Sequence, residues 1–365
     1  MFPIIFVASY WQFFIAFHFK GDLGKNSSES LKSVKGLNIL ILAIFFGLSC
    51  TAQQKKFVTV KRALSLMGSS FEITVVASDE EIGFINIEEG IAEVRRIESL
   101  ISSWDLESQT SEINKNAGVK PVKVDYELFK LIERAIQISE LTSGMFDISV
   151  AALDEVWDFD GSMTSFPIPE KIEEGVSKVG YKKIVLNSTD HSVFLSEKGM
   201  KIGFGAIGKG FAADKVKELL VSKQVPGGMI NAAGDITTWG TKATGEKWLI
   251  GVDNPNRDSR YFTWLPLVES SVSISGIYEK YITFRGKKYS HYINPITGYP
   301  ASGIKKVTVF SKSAELCDAL ATAIYIMGKE DGLQLINQLG GIEVIIVDNF
   351  NRIVNSDGLI LKTAE

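Results

Sequence analysis

Residues 307–328, VTVFSKSAELCDALATAIYIMG, predict a strand followed directly by a helix, and the fold class is inferred outward from this pattern. The helical part contains apolar residues such as Leu320 and Ile324, so we expect the helix to be largely buried. Asp318 and Thr322 are four residues apart in this helix, which places their oxygen atoms on one face.

The pair formed by Asp318 and Thr322 has two interpretations. A buried carboxylate needs a partner, and a carboxylate beside a hydroxyl and main-chain carbonyls suits a hard cation such as magnesium. Alternatively, Asp318 caps a neighbouring loop and Thr322 bonds back to its own helix. The pair alone does not decide between these interpretations.

The segments around this unit predict further hairpins and helices, and hence an α+β fold. Strands, mostly in hairpins, are predicted within 57–78, 181–205, 227–240, 270–295 and 341–358. Helices are predicted at 79–102, 125–144 and 210–224, and residues 247–255 are expected to add a strand to the central sheet. The chain shows no repeat and no low-complexity linker, so we expect a single domain over 51–365.

Composition limits the partners and the metal chemistry. The net charge of −4 gives no overall basic field, which argues against nucleic-acid binding. The chain has three histidines and two cysteines, and one of each lies within the first fifty residues. If that segment is processed, a zinc site of His and Cys ligands is nearly excluded, and any metal is a hard cation bound by oxygen.

Residues 1–50 form a leader with two apolar runs. The second run, at 31–49, has a basic start, an apolar middle and small residues before Cys50, as in a secretory signal. Its end resembles a lipoprotein box, in which Cys50 is lipidated and becomes the new N-terminus. An uncleaved transmembrane anchor is the alternative. We hypothesise that residues 1–30 precede the true start at Leu31; either way, the body of the protein is expected outside the cytoplasm.

The loop GFGAIGKG, at 203–210, nearly matches two glycine-rich phosphate-binding patterns. Neither context is complete, because the preceding strand is weak and Gly210 stands where a P-loop needs a hydroxyl residue. Main-chain N–H groups at a helix N-terminus, together with Lys209, nevertheless suit a pyrophosphate. The alternative is a strand-to-helix turn with a surface lysine.

Three further residues are candidates for chemistry. Asp235 follows a strand and either orients a lysine or a ribose hydroxyl, or fixes the turn. Asp147 lies beside an aromatic residue after a helix end. His291 precedes an Asn-Pro-Ile-Thr-Gly turn at 294–298, which explains the proline and the glycine but not the histidine. A general base would need such a residue.

Eight short motifs follow one another along the chain. The motifs are MGS, SW-x3-S, SG-x-FD, G-A-I-x-KG-x3-D, N-x-x-GD, SG-x-Y, H-x-x-NP-x-TG and D-x-x-x-T. Their order resembles the ApbE family of FAD:protein FMN transferases, and the resemblance covers about residues 57–350. The resemblance implies an ApbE-like fold of mixed or antiparallel sheets with packed helices and an active-site cleft between two lobes. It also implies magnesium-dependent cleavage of FAD, with FMN transferred to a threonine of another protein and AMP released.

The resemblance further implies roles for individual residues. Flavin or cofactor contacts map to Met67, Trp104, Met145, Phe146, Asp147, Lys209 and Tyr292. Magnesium ligands map to the carbonyls of Ala206 and Ala321 and to the side chains of Asp318 and Thr322, with Asp318 counted among the catalytic residues. His291 maps to the catalytic base.

The chain departs from the family pattern at Gly203, Ala233 and Asn294. The loss of an acid at 203 affects one expected FAD contact. Two other functions therefore stay open: an FAD pyrophosphatase that yields FMN and AMP, and a flavin-binding carrier without catalysis. As a transferase, the protein is expected to be a lipid-anchored lipoprotein on the periplasmic side of the inner or outer membrane. Its acceptor would be a flavoprotein subunit of a respiratory or redox complex.

Overall fold

The computed structural model describes residues 56–253, 261–276 and 280–360. The predicted leader, including Cys50, lies outside the described residues, so the expectations for residues 1–50 stay predictions. Within the described residues, no helix is both long and apolar enough to cross a membrane.

A large antiparallel sheet forms the centre of the described part of the chain. Its eight strands lie in the order β1-β2-β6-β7-β10-β13-β14-β15, and all of their pairings are antiparallel. The strands are β1 (Val58–Leu66), β2 (Ser69–Ala77), β6 (Gly227–Ala232), β7 (Asp235–Gly240), β10 (Ser271–Gly276), β13 (Ile304–Ser311), β14 (Glu343–Asp348) and β15 (Ile353–Asn355). The predicted hairpins at 57–78 and 341–358 and the predicted central-sheet strands at 227–240 are thereby confirmed.

Smaller sheets surround the large one. A three-stranded sheet has the order β3-β5-β4, and two hairpins pair β8 with β9 and β11 with β12. Their bounds are β3 (Val122–Lys123), β4 (Ile184–Asn187), β5 (Ser192–Leu195), β8 (Trp248–Asp253), β9 (Tyr261–Leu267), β11 (Tyr281–Phe284) and β12 (Lys287–Ser290).

The expectation that residues 247–255 join the central sheet is wrong. Strand β8 pairs with β9 instead, because β7 already has β6 on one edge and β10 on the other. Trp248 still reaches the core, where it packs with Val76, Ile236 and Val272. The periodicity of the segment therefore predicted a strand correctly but did not predict its partner.

Helices cover the large sheet, and some of them begin at a residue whose side chain caps the helix. They are α1 (Glu80–Ile101), α2 (Gln109–Lys115), α3 (Tyr126–Leu141), α4 (Pro169–Ser177), α5 (Gly208–Ser222), α6 (Ala314–Met327) and α7 (Lys329–Ile336), with 3-10 helices at Ile148–Glu155 and Tyr181–Lys183. The Asp79 side chain accepts a hydrogen bond from the Ile82 N–H at the start of α1, and Ser313 accepts one from Leu316 at the start of α6. The predicted helices at 79–102, 125–144 and 210–224 are confirmed.

Helices α5 and α6 approach each other unusually closely at their first turns. A methyl group on Gly210 would overlap the Ala314 carbonyl oxygen and would lie 2.8 Å from the Glu315 nitrogen. Asp214, one turn further along α5, accepts hydrogen bonds from the Ser313 hydroxyl at 2.7 Å and from the main-chain N–H of Ala314 and Glu315 at 3.0 Å. Asp214 therefore acts as a second cap of α6 and fixes the two helix N-termini side by side.

The core has two large parts. One lies between the sheet and helices α3 and α6, and includes Leu128, Ile132, Val307, Leu320 and Ile324. The other lies between β2, α1 and α5, and includes Phe71, Ile73, Ile87, Ile91 and Val216. The α+β class with antiparallel sheets and packed helices is confirmed, while the cleft between two lobes stays a prediction.

We expect Gly210→Ala to lower the free energy of unfolding by about 1–3 kcal/mol, because the added methyl group meets main-chain atoms that cannot move without separating α5 from α6. Gly205→Ala is the matched control, since nothing lies within 4 Å of a methyl group at that position of the same loop. Urea denaturation followed by circular dichroism measures both variants. Equal stability of the two variants would contradict the close contact.

Candidate active site

The glycine-rich loop positions Lys209 in the first turn of α5. The turn at 205–207 leads into the helix at Gly208, and the N–H of Gly203 donates a 2.9 Å hydrogen bond to the carbonyl of Ile148. Gly208 is buried, and a methyl group there would lie 2.9 Å from Ile101 Cδ1. The loop is therefore a packed turn that presents the helix N-terminus and Lys209 together, an arrangement that attracts anions.

Two buried carboxylates hold the Lys209 ammonium group. It forms an ion pair with Asp235 Oδ2, and its nitrogen lies 3.7 Å from Asp318 Oδ2. The Ser273 hydroxyl donates a hydrogen bond to the other oxygen of Asp235. The Gly210 N–H donates a 3.2 Å hydrogen bond to Asp318 Oδ2. Carboxylates this deeply buried need such partners, because an isolated buried charge is costly.

The face of α6 that contains Asp318 and Thr322 suits a small hard cation. Both side chains are buried, at 3% and 8% exposed, and the carbonyl of Ala321 lies between them in sequence. A carbonyl within a helix keeps a second lone pair beyond its helical hydrogen bond. The neighbouring ammonium group of Lys209 shows that Asp318 already accepts positive charge in this position. One carboxylate, one hydroxyl and carbonyls match magnesium, which keeps several waters or substrate oxygens among its ligands.

The described residues contain no group of three or more His, Cys, Asp or Glu side chains that could hold a metal ion. A cation at Asp318 would therefore depend on hydroxyl, carbonyl, water or phosphate oxygens. The carbonyl of Ala206, in the turn before α5, is the fourth ligand that the resemblance implies.

The base of the β11–β12 hairpin orients His291. The carbonyl of Lys280 accepts hydrogen bonds from the His291 main-chain N–H at 3.2 Å and from ring atom Nδ1 at 3.2 Å. Because a carbonyl only accepts, Nδ1 carries the ring proton and the lone pair lies on Nε2.

Burial lowers the pKa of His291 to about 4, and the positive charges of Lys280 and Lys209 act in the same direction. The Lys280 carbonyl opposes this shift only in part. The His291 ring also packs against the tilted ring of Tyr292 with centroids 4.1 Å apart, and Tyr292 packs against the tilted ring of Tyr325 of α6 at 4.4 Å. His291 is thus a neutral imidazole at pH 7, linked through two tyrosines to the helix that contains Asp318 and Thr322.

Met67 and Trp104 lie at the edge of this region. Met67 is in the β1–β2 turn with a φ of 49°, and its methyl group would lie 3.7 Å from a methyl group on Gly208. Trp104 is 84% exposed in the loop after α1, where its main-chain N–H donates a 3.2 Å hydrogen bond to the Ser102 hydroxyl. A tryptophan this exposed has its ring available to a ligand.

The segment 145–147 has a structural role that the sequence did not predict. Phe146 is buried in the core. Asp147 caps the 3-10 helix Ile148–Glu155 by accepting a 2.8 Å hydrogen bond from the Ser149 N–H, and it also accepts a 2.7 Å hydrogen bond from the Tyr181 N–H. Burial raises the pKa of the Asp147 carboxyl, and these hydrogen bonds act in the opposite direction. Met145 is half-buried, with its sulfur 3.9 Å from the Asn294 amide nitrogen. Flavin contact by this segment stays a prediction.

Comparison with known proteins identifies the family. The sequence model of the ApbE family matches residues 67–346, which is most of the chain. The chain belongs to the ApbE family. Every motif from the MGS turn to the Asp318–Thr322 pair lies within the matched range.

Individual ApbE relatives resemble the chain over most of their length. A protein named FAD:protein FMN transferase from Klebsiella pneumoniae is 30% identical over 293 residues, covering 80% of this chain and 90% of the relative. A protein of the same name from Treponema pallidum is 28% identical over 289 residues, covering 75% of this chain and 80% of the relative. A crystal structure of the ApbE protein from Thermotoga maritima has a TM-score of 0.77 and 31% identity, covering 84% of this chain and all of that one.

Sequence reasoning missed part of the polar cluster around Lys209. It left the role of Asp235 open and did not single out Ser273, yet Asp235 forms the ion pair with Lys209 and Ser273 donates a hydrogen bond to Asp235. The available signal was the alternation of serines in β10, where Ser271, Ser273 and Ser275 are all buried. Buried hydroxyls on one face of a strand indicate a polar network.

A surface pocket of about 380 Å³ lies elsewhere, between α3, α5 and the start of α6. None of the predicted site residues lines it. Arg134 in its wall forms a bidentate ion pair with Glu315, at 2.6 and 2.8 Å, so the pocket has little uncompensated charge at that point.

We expect His291 to stay neutral, with its proton on Nδ1, from pH 8 down to about pH 5, since its folded pKa of about 4 lies below the ordinary value of 6.5. The same shift implies that His291 lowers folding stability as the pH falls from 6.5 through 4, because the unfolded chain binds the proton first. Proton–nitrogen correlation NMR of the purified protein reports both tautomer and charge, with His291→Gln providing the assignment. A titration midpoint near 6.5 would contradict this environment.

Proposed function

We propose that the protein is a magnesium-dependent FAD:protein FMN transferase, which moves FMN from FAD to a threonine of another protein and releases AMP. Family membership and the name of its ApbE relatives support this activity. The observation that carries the proposal is the Lys209–Asp235–Asp318 cluster at the N-terminus of α5, with a neutral histidine nearby.

Lys209 suits the pyrophosphate of FAD. A phosphoryl transfer needs the charge on the phosphate oxygens to be neutralised, and the protein does this mainly by position and electrostatics. Asp235, which is itself fixed by the Ser273 hydroxyl, restricts the ammonium group to one place, so little reorganisation is needed when a phosphate arrives. The N-terminus of α5 adds the partial positive charge of the helix dipole on the same side.

The side chains of Asp318 and Thr322 and the carbonyls of Ala206 and Ala321 would hold magnesium. When bound, the cation would neutralise pyrophosphate oxygens. Asp318 is well placed for this role because the 3.2 Å hydrogen bond from the Gly210 N–H fixes one carboxylate oxygen at the start of α5.

His291 serves as the base for the incoming hydroxyl. The threonine oxygen forms a bond to the FMN phosphorus while the bond from that phosphorus to the AMP oxygen breaks. The hydroxyl proton passes to Nε2, which holds the lone pair because Nδ1 donates to the Lys280 carbonyl. The lowered pKa of His291 keeps this lone pair present at neutral pH.

At the flavin end, Met67 and the exposed ring of Trp104 offer apolar contacts to an isoalloxazine ring. The acceptor would be an exported or membrane redox protein, such as a flavoprotein subunit of a respiratory complex. This follows from the proposed leader, in which lipidated Cys50 anchors the protein on the periplasmic side of the inner or outer membrane.

We expect Asp318→Ala to abolish transfer of FMN, because the variant loses the carboxylate that would hold the cation. The purified protein is incubated with FAD, Mg²⁺ and exported proteins of the same cell, and covalent FMN is detected by in-gel flavin fluorescence and intact mass. Asp331→Ala removes an exposed carboxylate of α7 and is the matched control. A labelled band that survives Asp318→Ala would contradict this metal assignment.

The products of the same assay separate the two alternatives. FMN and AMP without a labelled protein would indicate an FAD pyrophosphatase, in which water replaces the threonine. FAD that binds but is not cleaved would indicate a carrier.

We expect His291→Ala to lower the rate of transfer about 10²- to 10⁴-fold, the usual contribution of a general base. The loss should appear in kcat, with little change in the affinity for FAD. His191→Asn is the control: this second histidine lies in a turn with a φ of 56°, which asparagine tolerates. Unchanged turnover in His291→Ala would assign the base to another residue.

A further inference from the structure

The charge of the chain is distributed unevenly around His291. Residues 280–314 contain seven Lys or Arg residues and no Asp or Glu, although the whole chain has more acidic than basic residues, 43 against 39. Four of these cations, Lys280, Arg285, Lys287 and Lys288, belong to the β11–β12 hairpin or immediately precede it, and all four are exposed. Among the described residues, Lys280, Arg285 and Lys287 have no ion-pair partner.

The hairpin has one anchored face and one exposed face. Its register places Ile282 opposite Tyr289 and Thr283 opposite Lys288. Ile282, Phe284 and Tyr289 pack into a core cluster with Trp157, and Phe284 and Tyr289 also contact the ring of Phe166. The hairpin is therefore fixed to the body of the protein.

The exposed face of the hairpin offers a cation, an aromatic ring and open strand edges. It carries Tyr281, Thr283 and Lys288, and the Lys288 ammonium group lies 4.0 Å from the centroid of the Tyr281 ring. Among the described residues, β11 and β12 pair only with each other, so the outer edge of each strand can accept another strand.

The same hairpin holds the proposed base. Lys280 immediately precedes β11 and orients His291 through its carbonyl, while Ser290 of β12 directly precedes His291. A polypeptide segment bound along the hairpin would thus run past His291.

We propose that the basic β11–β12 hairpin docks an acidic, extended segment of the acceptor protein and so delivers its hydroxyl to His291. This inference rests on the proposed transferase function and adds the binding surface and the charge of the partner. A four-residue strand spans about 13 Å. The acidic residues should therefore lie within about four residues of the modified threonine.

FAD itself does not explain the basic hairpin. Arg285 and Lys287 are at its turn, at the opposite end from His291, and hence about 13 Å from a pyrophosphate that reacts beside that residue. An anionic lipid surface would also attract lysines. The open strand edges and the direct link to His291 favour a polypeptide.

The test compares the double variant Arg285→Asn/Lys287→Gln with the control Lys115→Gln/Lys120→Gln in the full protein. The control removes the same charge from exposed lysines that lie outside the proposed site, and asparagine tolerates the positive φ of 48° at position 285. Fluorescence anisotropy measures binding of two labelled peptides that contain one threonine flanked by aspartates or by asparagines. The affinity for FAD and sedimentation with phosphatidylglycerol vesicles are measured in parallel.

We expect the hairpin variant to bind the aspartate peptide about three- to tenfold more weakly than the wild type, with the difference shrinking at high salt. The control variant and the affinity for FAD should not change. The proposal is overturned if the wild type does not prefer the aspartate peptide, if both variants bind it equally, or if only FAD or vesicle binding is reduced. Peptide binding does not need turnover, so a failure of FMN transfer with intact charge-dependent binding would count against the proposed function alone.

Discussion

The close contact between the first turns of α5 and α6 is the constraint on which the site depends. Only a residue without a side chain fits at Gly210, where the two backbones meet. That proximity lets the Gly210 N–H reach Asp318 and lets Asp214 cap α6. Two helix N-termini, each with partial positive charge, thus converge beside two carboxylates, and the balance of charge at this point defines what can bind there.

Sequence patterns predicted most of the local structure and the helical placement of two candidate site residues. The helix at 79–102 and the hairpin at 57–78 were predicted almost to the residue, because capping aspartate, helical spacing and the Met67-Gly68-Ser69 turn are local signals. Asp318 and Thr322 were predicted to share a face of one helix, and both are buried on α6.

What the sequence did not predict depends on contacts between distant residues. Lys209 meets Asp235, 26 residues away, and Gly210 meets Asp318 across 108 residues, so no local pattern could decide between a surface lysine and a buried ion pair. The prediction that β8 joins the central sheet was wrong for the same reason, because the pairing of β8 depends on β10 occupying the edge of β7. The tautomer of His291 likewise depends on the carbonyl of Lys280, eleven residues before it.

The strand order of the large sheet also bears on how the protein folds. Strand β2 pairs with β6, which joins residues 71–76 to 227–232, and β10 must insert between β7 and β13. Closing loops of this length is entropically costly, which predicts slow folding compared with a helical protein of similar size. Because Asp235, Ser273 and Asp318 come from the later part of the chain, a nascent chain that ends before α6 contains Lys209 but not its complete set of partners. The complete set of partners around Lys209 is thus assembled only at the last stage of synthesis.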